Sequence, residues 1–228
     1  ISLELIQEKK SGAETIAAAI QIDAAQPSEP ISKYIYGQFI EHLGRCIYGG
    51  IWAEMLEDRK FYFAVPASGD IWRMTREQAR VLADSPWKVI GSAEAVSMTT
   101  ESPLSGRHCP RISLSSGQAG IFQEELALLQ GKDYTGRVVL RGSGSAAPIQ
   151  VRLVWGEGPQ GAQTVTISSL TESFTAYPLR FRAGADTENG RLEIVGTGTG
   201  TFDIGAVSLM PADNVKGFRK DTLELLRR

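Results

Sequence analysis

Apolar residues in this chain follow a two-residue period far more often than a helical one. In "TIAAAIQI", residues 15–22, Ile16, Ala18, Ile20 and Ile22 fall on one side, the pattern of a half-buried strand. "DAAQPSEPIS" breaks it with two prolines, and "KYIYGQFI" resumes an extended, aromatic-rich segment. There Tyr34, Tyr36 and Gln38 share one face and Ile35 and Phe39 the other, which predicts a buried strand. In "GGIWAEMLEDRKFY", Ile51, Met55 and Leu56 predict the apolar side of a short helix, with Glu54 and Asp58 outside. Residues 64–84, rich in turn formers, read as a connector in which Thr75 caps a short helix.

From "SPWKVIG" at residue 85 the texture changes. Strand patterns recur with turns between them: "GIFQEELAL", "YTGRVVLRG", "IQVRLVW", "QTVTISS", "FTAYPLRFR", "GRLEIVG" and "TFDIGAVSLM". Ile149, Val151 and Leu153 point one way, as do Tyr177, Leu179 and Phe181. Leu192 and Ile194 face in, with Glu193 out. One face dry and one wet is the antiparallel pattern, and a series of such strands with glycine-rich turns predicts a β-sandwich. Pro178 belongs on an edge strand or a bulge. Near the end, Asp221 is placed to cap a helix with Glu224 as its capping-box partner, and Leu223 and Leu226 open an apolar face. A helix this short is marginal alone, which predicts that it continues in a further segment. The strands at 15–22 and 34–40 differ in texture from the later ones and resemble pieces of a larger architecture interrupted by an inserted domain.

Composition narrows the function classes. The chain has 228 residues, 42% of them hydrophobic and 22% charged, with a formal charge of −2. That is a globular composition, with no dense basic block to neutralise nucleic-acid phosphates. No run of 18 apolar residues occurs that would span a membrane. The two cysteines, Cys46 and Cys109, could pair but make no disulfide framework. His42 and His108 are the only histidines, and no Cys-x-x-Cys spacing accompanies them, so no zinc site is predicted.

Candidate chemistry centres on "YIYGQFIEHLGRCIYGGIWAEML", residues 34–56. Glu41, at the carboxyl end of a predicted buried strand, is placed to meet a ligand above a sheet or barrel, or else to pair with Arg45. A carboxylate there can accept charge-assisted hydrogen bonds from sugar hydroxyls. His42 could donate to the same hydroxyls or orient Glu41. Gly44, Gly49 and Gly50 allow sharp turns, and they do not form a phosphate-binding loop. Trp52, and Trp155 in "VRLVWGEGPQG", are candidate sugar platforms or core fillers. Glycosidic hydrolysis usually needs two carboxylates. Glu54, Glu57 and Asp58 crowd one short element, and they read as surface or interdomain groups, as does "QEEL" at 123–126.

These stretches resemble a known family. "ISKYIYGQFIEHLGRCIYGGIWAEMLEDRKF" is similar to the opening barrel segment of glycoside hydrolase family 51, the retaining α-L-arabinofuranosidases. "VSLMPADNVKGFRKDTLELLR" is similar to the re-entry into the first barrel helix, and "SGQAGIFQEELALLQGKDYTGRVVLRG" to an inserted sandwich of the carbohydrate-binding-module type. The resemblance covers residues 31–60 and about 85–228.

It implies a mostly β chain: a jelly-roll-like antiparallel sandwich, the first strand and start of the first helix of a (β/α)8 barrel, and one strand of a C-terminal β-sandwich. Residues 1–30 would be a leader and that last strand, 31–60 the first barrel strand and following loop, and 61–84 a connector. Residues 85–211 would be the insert and 212–228 the start of the first barrel helix. Glu41 would contact the arabinofuranose. The family's acid/base and nucleophile glutamates have no counterpart here, so no catalytic residue is assigned to this chain. The remainder of the barrel and the C-terminal sandwich would come from a second chain or a missing segment.

The implied partner is an arabinose-containing polysaccharide, with no cofactor and no metal. Members with the insert are often exported, which points toward a secreted or periplasmic location. Two alternatives are a stand-alone carbohydrate-binding module and part of a family-51-like endo-β-1,4-glucanase or xylanase.

Overall fold

The structure is a computed structural model that describes residues 2–8, 15–21, 29–30, 32, 35, 46–47, 49–65, 85–115 and 117–227. Its contacts divide the chain into two units, Ile1–Ile40 and Glu41–Arg228.

In the first unit, β1 (Ser2–Glu8) pairs antiparallel with β2 (Thr15–Gln21), from Ser2 opposite Gln21 to Glu8 opposite Thr15. β2 is the strand predicted at 15–22. β1 has a weak pattern because Leu3 and Leu5 alternate with Ser2 and Glu4, after which Ile6 and Gln7 invert the phase. The predicted strand at 34–40 lies almost wholly outside the described residues. Its described member, Ile35, is exposed and donates its N–H to the Ser32 carbonyl in a tight turn.

The second unit is mostly β and carries two five-stranded antiparallel sheets. The first has the order β10 (Thr175–Arg182), β7 (Asp133–Gly142), β12 (Thr201–Pro211), β5 (Cys109–Ser113), β4 (Val96–Thr99). The second has the order β3 (Lys88–Ile90), β6 (Ala119–Leu128), β11 (Thr187–Gly196), β8 (Ile149–Val154), β9 (Ala162–Ile167). Period-two alternation puts Ile149, Val151, Leu153, Leu192, Ile194 and Leu179 between the sheets, all without solvent exposure. Pro178 sits on β10, an edge strand, where its missing N–H costs no ladder bond.

Two irregularities set which residues face inward. On β6 the register against β11 shifts around Glu125, whose φ is +63°. Ile121 and Gln123 point inward before that bulge, and Leu126 and Leu128 after it. On β12 a shift between Ile204 and Ala206 does the same, so Phe202 and Ile204 are followed into the core by Val207 and Leu209.

Two polar residues differ from their sequence-based placement. Gln123 is only 3% exposed, although "QEEL" reads as surface. Glu193 faces outward in register but is buried, because Arg152 and Arg191 both reach its carboxylate, at 3.0 and 2.6 Å. On the outer face of the first sheet, Asp203 is likewise enclosed by Arg111 and Arg141.

The helix predicted around residues 51–58 is absent. Residues 53–56 instead lie without helical turns along the edge of β12, which among the described residues β5 pairs at only three positions. The Met55 N–H donates to the Leu209 carbonyl and the Val207 N–H to the Arg59 carbonyl, each at 2.9 Å. Gln123 holds the same segment from the other sheet. Its Oε1 accepts the Glu57 N–H at 2.8 Å, and its Nε2 donates to the Glu57 carbonyl at 2.9 Å.

A turn at 58–61 follows, with Asp58 and Phe61 at positive φ. The Asp58 carboxylate accepts the N–H groups of Tyr62 (2.6 Å) and Phe63 (3.1 Å), and burial raises its pKa. The turn drives Phe61 into the core against Trp87, whose indole N–H donates to the Asp58 carbonyl. Leu56 and Val65 join the same core, while Thr75 lies outside the described residues.

The terminal helix, α1 (Lys220–Leu226), starts two residues earlier than its capping pattern implies. Arg219 is the N-cap and makes no side-chain cap bond. Asp221 lies in the first turn, where Arg219 binds both its oxygens at 3.2 and 2.6 Å, so Glu224 has no capping-box partner. Leu225 and Leu226 are 67% and 53% exposed. Cys46 is an exposed free thiol and Cys109 a buried one, and burial pushes the Cys109 pKa up to about 11.

Two outcomes follow. Phe61→Ala should cost about 3–5 kcal/mol, as for a core aromatic, by denaturant unfolding of the chain. A residue in a mere connector would cost under about 0.5 kcal/mol. Second, the Arg219 guanidinium holds Asp221 down to about 2, so the pairing is present above the ordinary aspartate range and is lost as pH falls toward 2. Carboxyl NMR titration should show that low midpoint, and Arg219→Ala should return it upward. The pair is exposed, so Tm should hardly move.

Candidate functional site

The segment "CIYGGIW" turns sharply at Gly49, whose φ of +80° favours glycine. The N–H groups of Gly50 and Trp52 close onto the Ile47 carbonyl and that of Ile51 onto Cys46. The chain then enters an antiparallel pairing with the segment that leaves the sandwich. The Arg219 N–H donates to the Ile51 carbonyl at 2.9 Å, and the Ala53 N–H to the Gly217 carbonyl at 2.8 Å. Between these bonds Trp52 lies opposite Phe218, edge to face, with ring centroids 5.7 Å apart.

This pairing forms one wall of a cleft of about 570 Å³. The other walls are the end of β6, the start of β7 and the first turn of α1. Trp52, Met55, Leu129 and Tyr134 supply apolar surface, and its charged groups include Glu57, Glu125, Lys132, Asp213, Arg219, Lys220, Asp221 and Glu224. Lys132 pairs with Asp213 at 3.6 Å, and Lys220 with Glu224 at 4.0 Å. With Asp221 held low by Arg219, these carboxylates are paired with cations, an arrangement suited to gripping a polar ligand or a polypeptide surface rather than to donating a proton.

Glu54 lies behind this wall, 6% exposed, and its buried place contradicts the surface role read for it. Its Oε1 accepts from the Leu209 N–H (2.9 Å) and the Leu56 N–H (3.2 Å). Its Oε2 accepts from the Ser208 hydroxyl at 2.7 Å, with Arg59 at 3.8 Å.

Among the sequence-predicted site residues, Glu41 and His42 lie outside the described residues. Trp52 is brought to the cleft, half-buried, and its indole nitrogen is buried without a hydrogen-bond partner among the described residues. Trp155 is elsewhere. It is held at its own strand end by an N–H bond to the Gln160 carbonyl (2.9 Å) and lies against Gly184, where a Cβ would come 2.9 Å from the ring. Half-buried and packed against the core, Trp155 closes the sandwich. Lys132, Tyr134, Leu129 and Asp213 carry no spacing signal in the sequence, because only the pairing of distant segments brings them to one cleft.

No family model matches the chain. Alpha-L-arabinofuranosidase 1 of Arabidopsis thaliana is 24% identical over 230 residues, covering 92% of this chain and 32% of that protein. The extracellular exo-alpha-L-arabinofuranosidase of Streptomyces chartreusis is 27% identical over 214 residues, covering 90% of this chain and 24% of that protein. The chain thus spans about a third of the first relative and about a quarter of the second. Among solved structures, the arabinose-bound α-L-arabinofuranosidase MgGH51 shares the fold with a TM-score of 0.57 at 21% identity, over 79% of this chain and 30% of that one. The chain is thus similar to α-L-arabinofuranosidases along nine-tenths of its length and shares its fold with a solved α-L-arabinofuranosidase.

Proposed function

We propose that this chain is the N-terminal portion of a retaining α-L-arabinofuranosidase that hydrolyses terminal non-reducing α-L-arabinofuranosyl residues from arabinoxylan or arabinan. The observation that carries this is the similarity to arabinofuranosidases over 90% or more of the chain, rather than over the sandwich alone. In this assignment residues 31–60 and 212–228 belong to the opening of a (β/α)8 barrel, residues 85–211 to an inserted sandwich, and the strand at 15–22 to a C-terminal sandwich. The rest of the barrel, with both catalytic glutamates, is supplied by the remainder of the enzyme.

The reaction is a double displacement. One glutamic acid protonates the leaving oxygen while the other attacks the anomeric carbon, and water then resolves the glycosyl-enzyme. Glu41 orients the furanose through charge-assisted bonds to its hydroxyls, bonds that gain strength as charge develops at the reacting carbon. Glu41→Gln in the complete enzyme is expected to lower kcat/KM on an aryl arabinofuranoside about tenfold or more, the loss of one charge-assisted contact at the transition state. Unchanged kinetics would remove the assignment.

One observation favours a carbohydrate-binding module as the second possibility: the sandwich closes its core with its own flanking residues 53–65. Isothermal titration of residues 51–219 against arabinan and xylan oligosaccharides separates the two, because binding by that piece in a protein without arabinofuranosidase activity supports a module alone. Release of reducing ends from β-1,4-glucan or xylan by the complete enzyme, without arabinose, would instead support the endo-acting alternative.

A further inference from the structure

The chain enters and leaves the sandwich through two segments that are hydrogen-bonded to each other. Residues 51–59 run antiparallel to 207–219, with the turn 212–216 bulging between two stretches of pairing. The bonds are Arg219 N–H to Ile51, Ala53 N–H to Gly217, Met55 N–H to Leu209 and Val207 N–H to Arg59, all between 2.8 and 2.9 Å. A module on a flexible tether is joined by polar, glycine- and serine-rich linkers that behave as random coil. Here the incoming segment reads IWAEMLEDR, and its Ala53 and Leu56 are buried. Glu54 locks the pair. Its side chain is 1% exposed and ties its own segment to two successive residues of β12, Ser208 and Leu209. Gln123 clamps the same segment to the opposite sheet.

We propose that these paired segments form a rigid stalk, locked by Glu54, that fixes the attitude of the sandwich on the two segments it springs from and makes Glu54 a positioning residue for polymeric substrate. This rests on the arabinofuranosidase assignment and on Glu41 as a sugar contact. Glu41 lies ten residues before Ile51, a span of at most about 36 Å. A polysaccharide long enough to reach both the sugar contact and the sandwich gains from the sandwich only if the attitude of the sandwich is fixed. A single arabinofuranoside is too small to sense it.

Two measurements test the proposal. The first is hydrogen exchange on this chain. Glu54→Ala should speed exchange at Leu56 and Leu209 by about tenfold or more, the cost of stranding buried donors, while the Ile194 amide keeps its protection. Glu54→Gln should stay near wild type, because its amide oxygen accepts both N–H groups and its NH2 can donate to the Ser208 hydroxyl. The second uses the complete enzyme. Glu54→Ala should lower kcat/KM on arabinan about fivefold or more, mainly through KM, and leave an aryl arabinofuranoside within about twofold, with Glu54→Gln restoring the polymer.

If Glu54→Ala does not fold, Ser208→Ala, which removes one bond, should give the same ordering at smaller amplitude. Unchanged exchange at Leu209 would overturn the lock. Equal loss on both substrates, or opened exchange with no loss on polymer, would overturn the positioning role. A wild-type enzyme inactive on both substrates would overturn the arabinofuranosidase assignment, and the positioning role with it, while the exchange result would still decide the lock.

Discussion

The constraint on which this fold depends is the unpaired edge of β12. That strand runs for eleven residues, yet β5 pairs only its first three. The rest of the edge would leave buried N–H and C=O groups in the middle of a sheet, each costing about 1–3 kcal/mol without a partner. The segment 53–59 meets that need by lying along the edge, with Met55 and Arg59 bonded to Leu209 and Val207, and a helix could not do so. A helix there would turn its own backbone bonds inward and leave Val207 and Leu209 unmatched. Everything downstream of this choice follows geometrically: Leu56, Phe61 and Val65 reach the core, and the Asp58 turn brings its carbonyl to the Trp87 indole.

The same need explains two buried polar side chains that would otherwise weaken the core. A buried carboxylate or amide is tolerated when its hydrogen-bonding capacity is filled, and costs several kcal/mol when it is not. Glu54 accepts from two backbone N–H groups and one hydroxyl, and Gln123 matches both the N–H and the C=O of Glu57. Each serves backbone groups that no strand reaches. Replacing either with a hydrophobe of equal size would fill the space and strand those groups, so their value lies in which segments they join rather than in net stabilisation.

Much of the sandwich was legible because its signal is local. Ile149, Val151 and Leu153, and Leu192 and Ile194, alternate cleanly, and Pro178 names an edge. What escaped was non-local. Gln123 looks like any surface glutamine, because the bulge at Glu125 that lets it share the inner face with Leu126 and Leu128 and its partner 66 positions away are both invisible in the local pattern. Glu54 and Asp58 mimic the polar side of a helix, since Ile51, Met55 and Leu56 happen to have helical spacing, and the partner that holds the segment out of a helix lies about 150 residues on. At α1 the capping pattern at Asp221 is real in sequence, but the helix starts before it, and its carboxylate is held by Arg219 and by the N–H of the next residue, Thr222. For the site, the structure places Trp52 at the cleft, whereas the charges around it belong to three separate segments. Glu41 and His42 rest on the motif alone.

A sandwich whose two flanking segments pair with each other differs physically from one attached by a single linker. A single flexible linker sets an effective concentration that falls with its length, and the module samples many attitudes. Two connections that are themselves hydrogen-bonded remove most of that freedom during folding, so no further ordering entropy is lost when ligand arrives. The cost is that an error at the junction is shared by both sides, because the same carboxylate that closes the sheet edge also fixes the incoming chain. Polar bonds of defined direction suit this junction better than apolar contacts, since they specify register as well as contact. Slipping the segment by one residue along β12 would point Ala53 or Met55 at Ser208 and leave its hydroxyl and the Leu209 N–H without the acceptor they share.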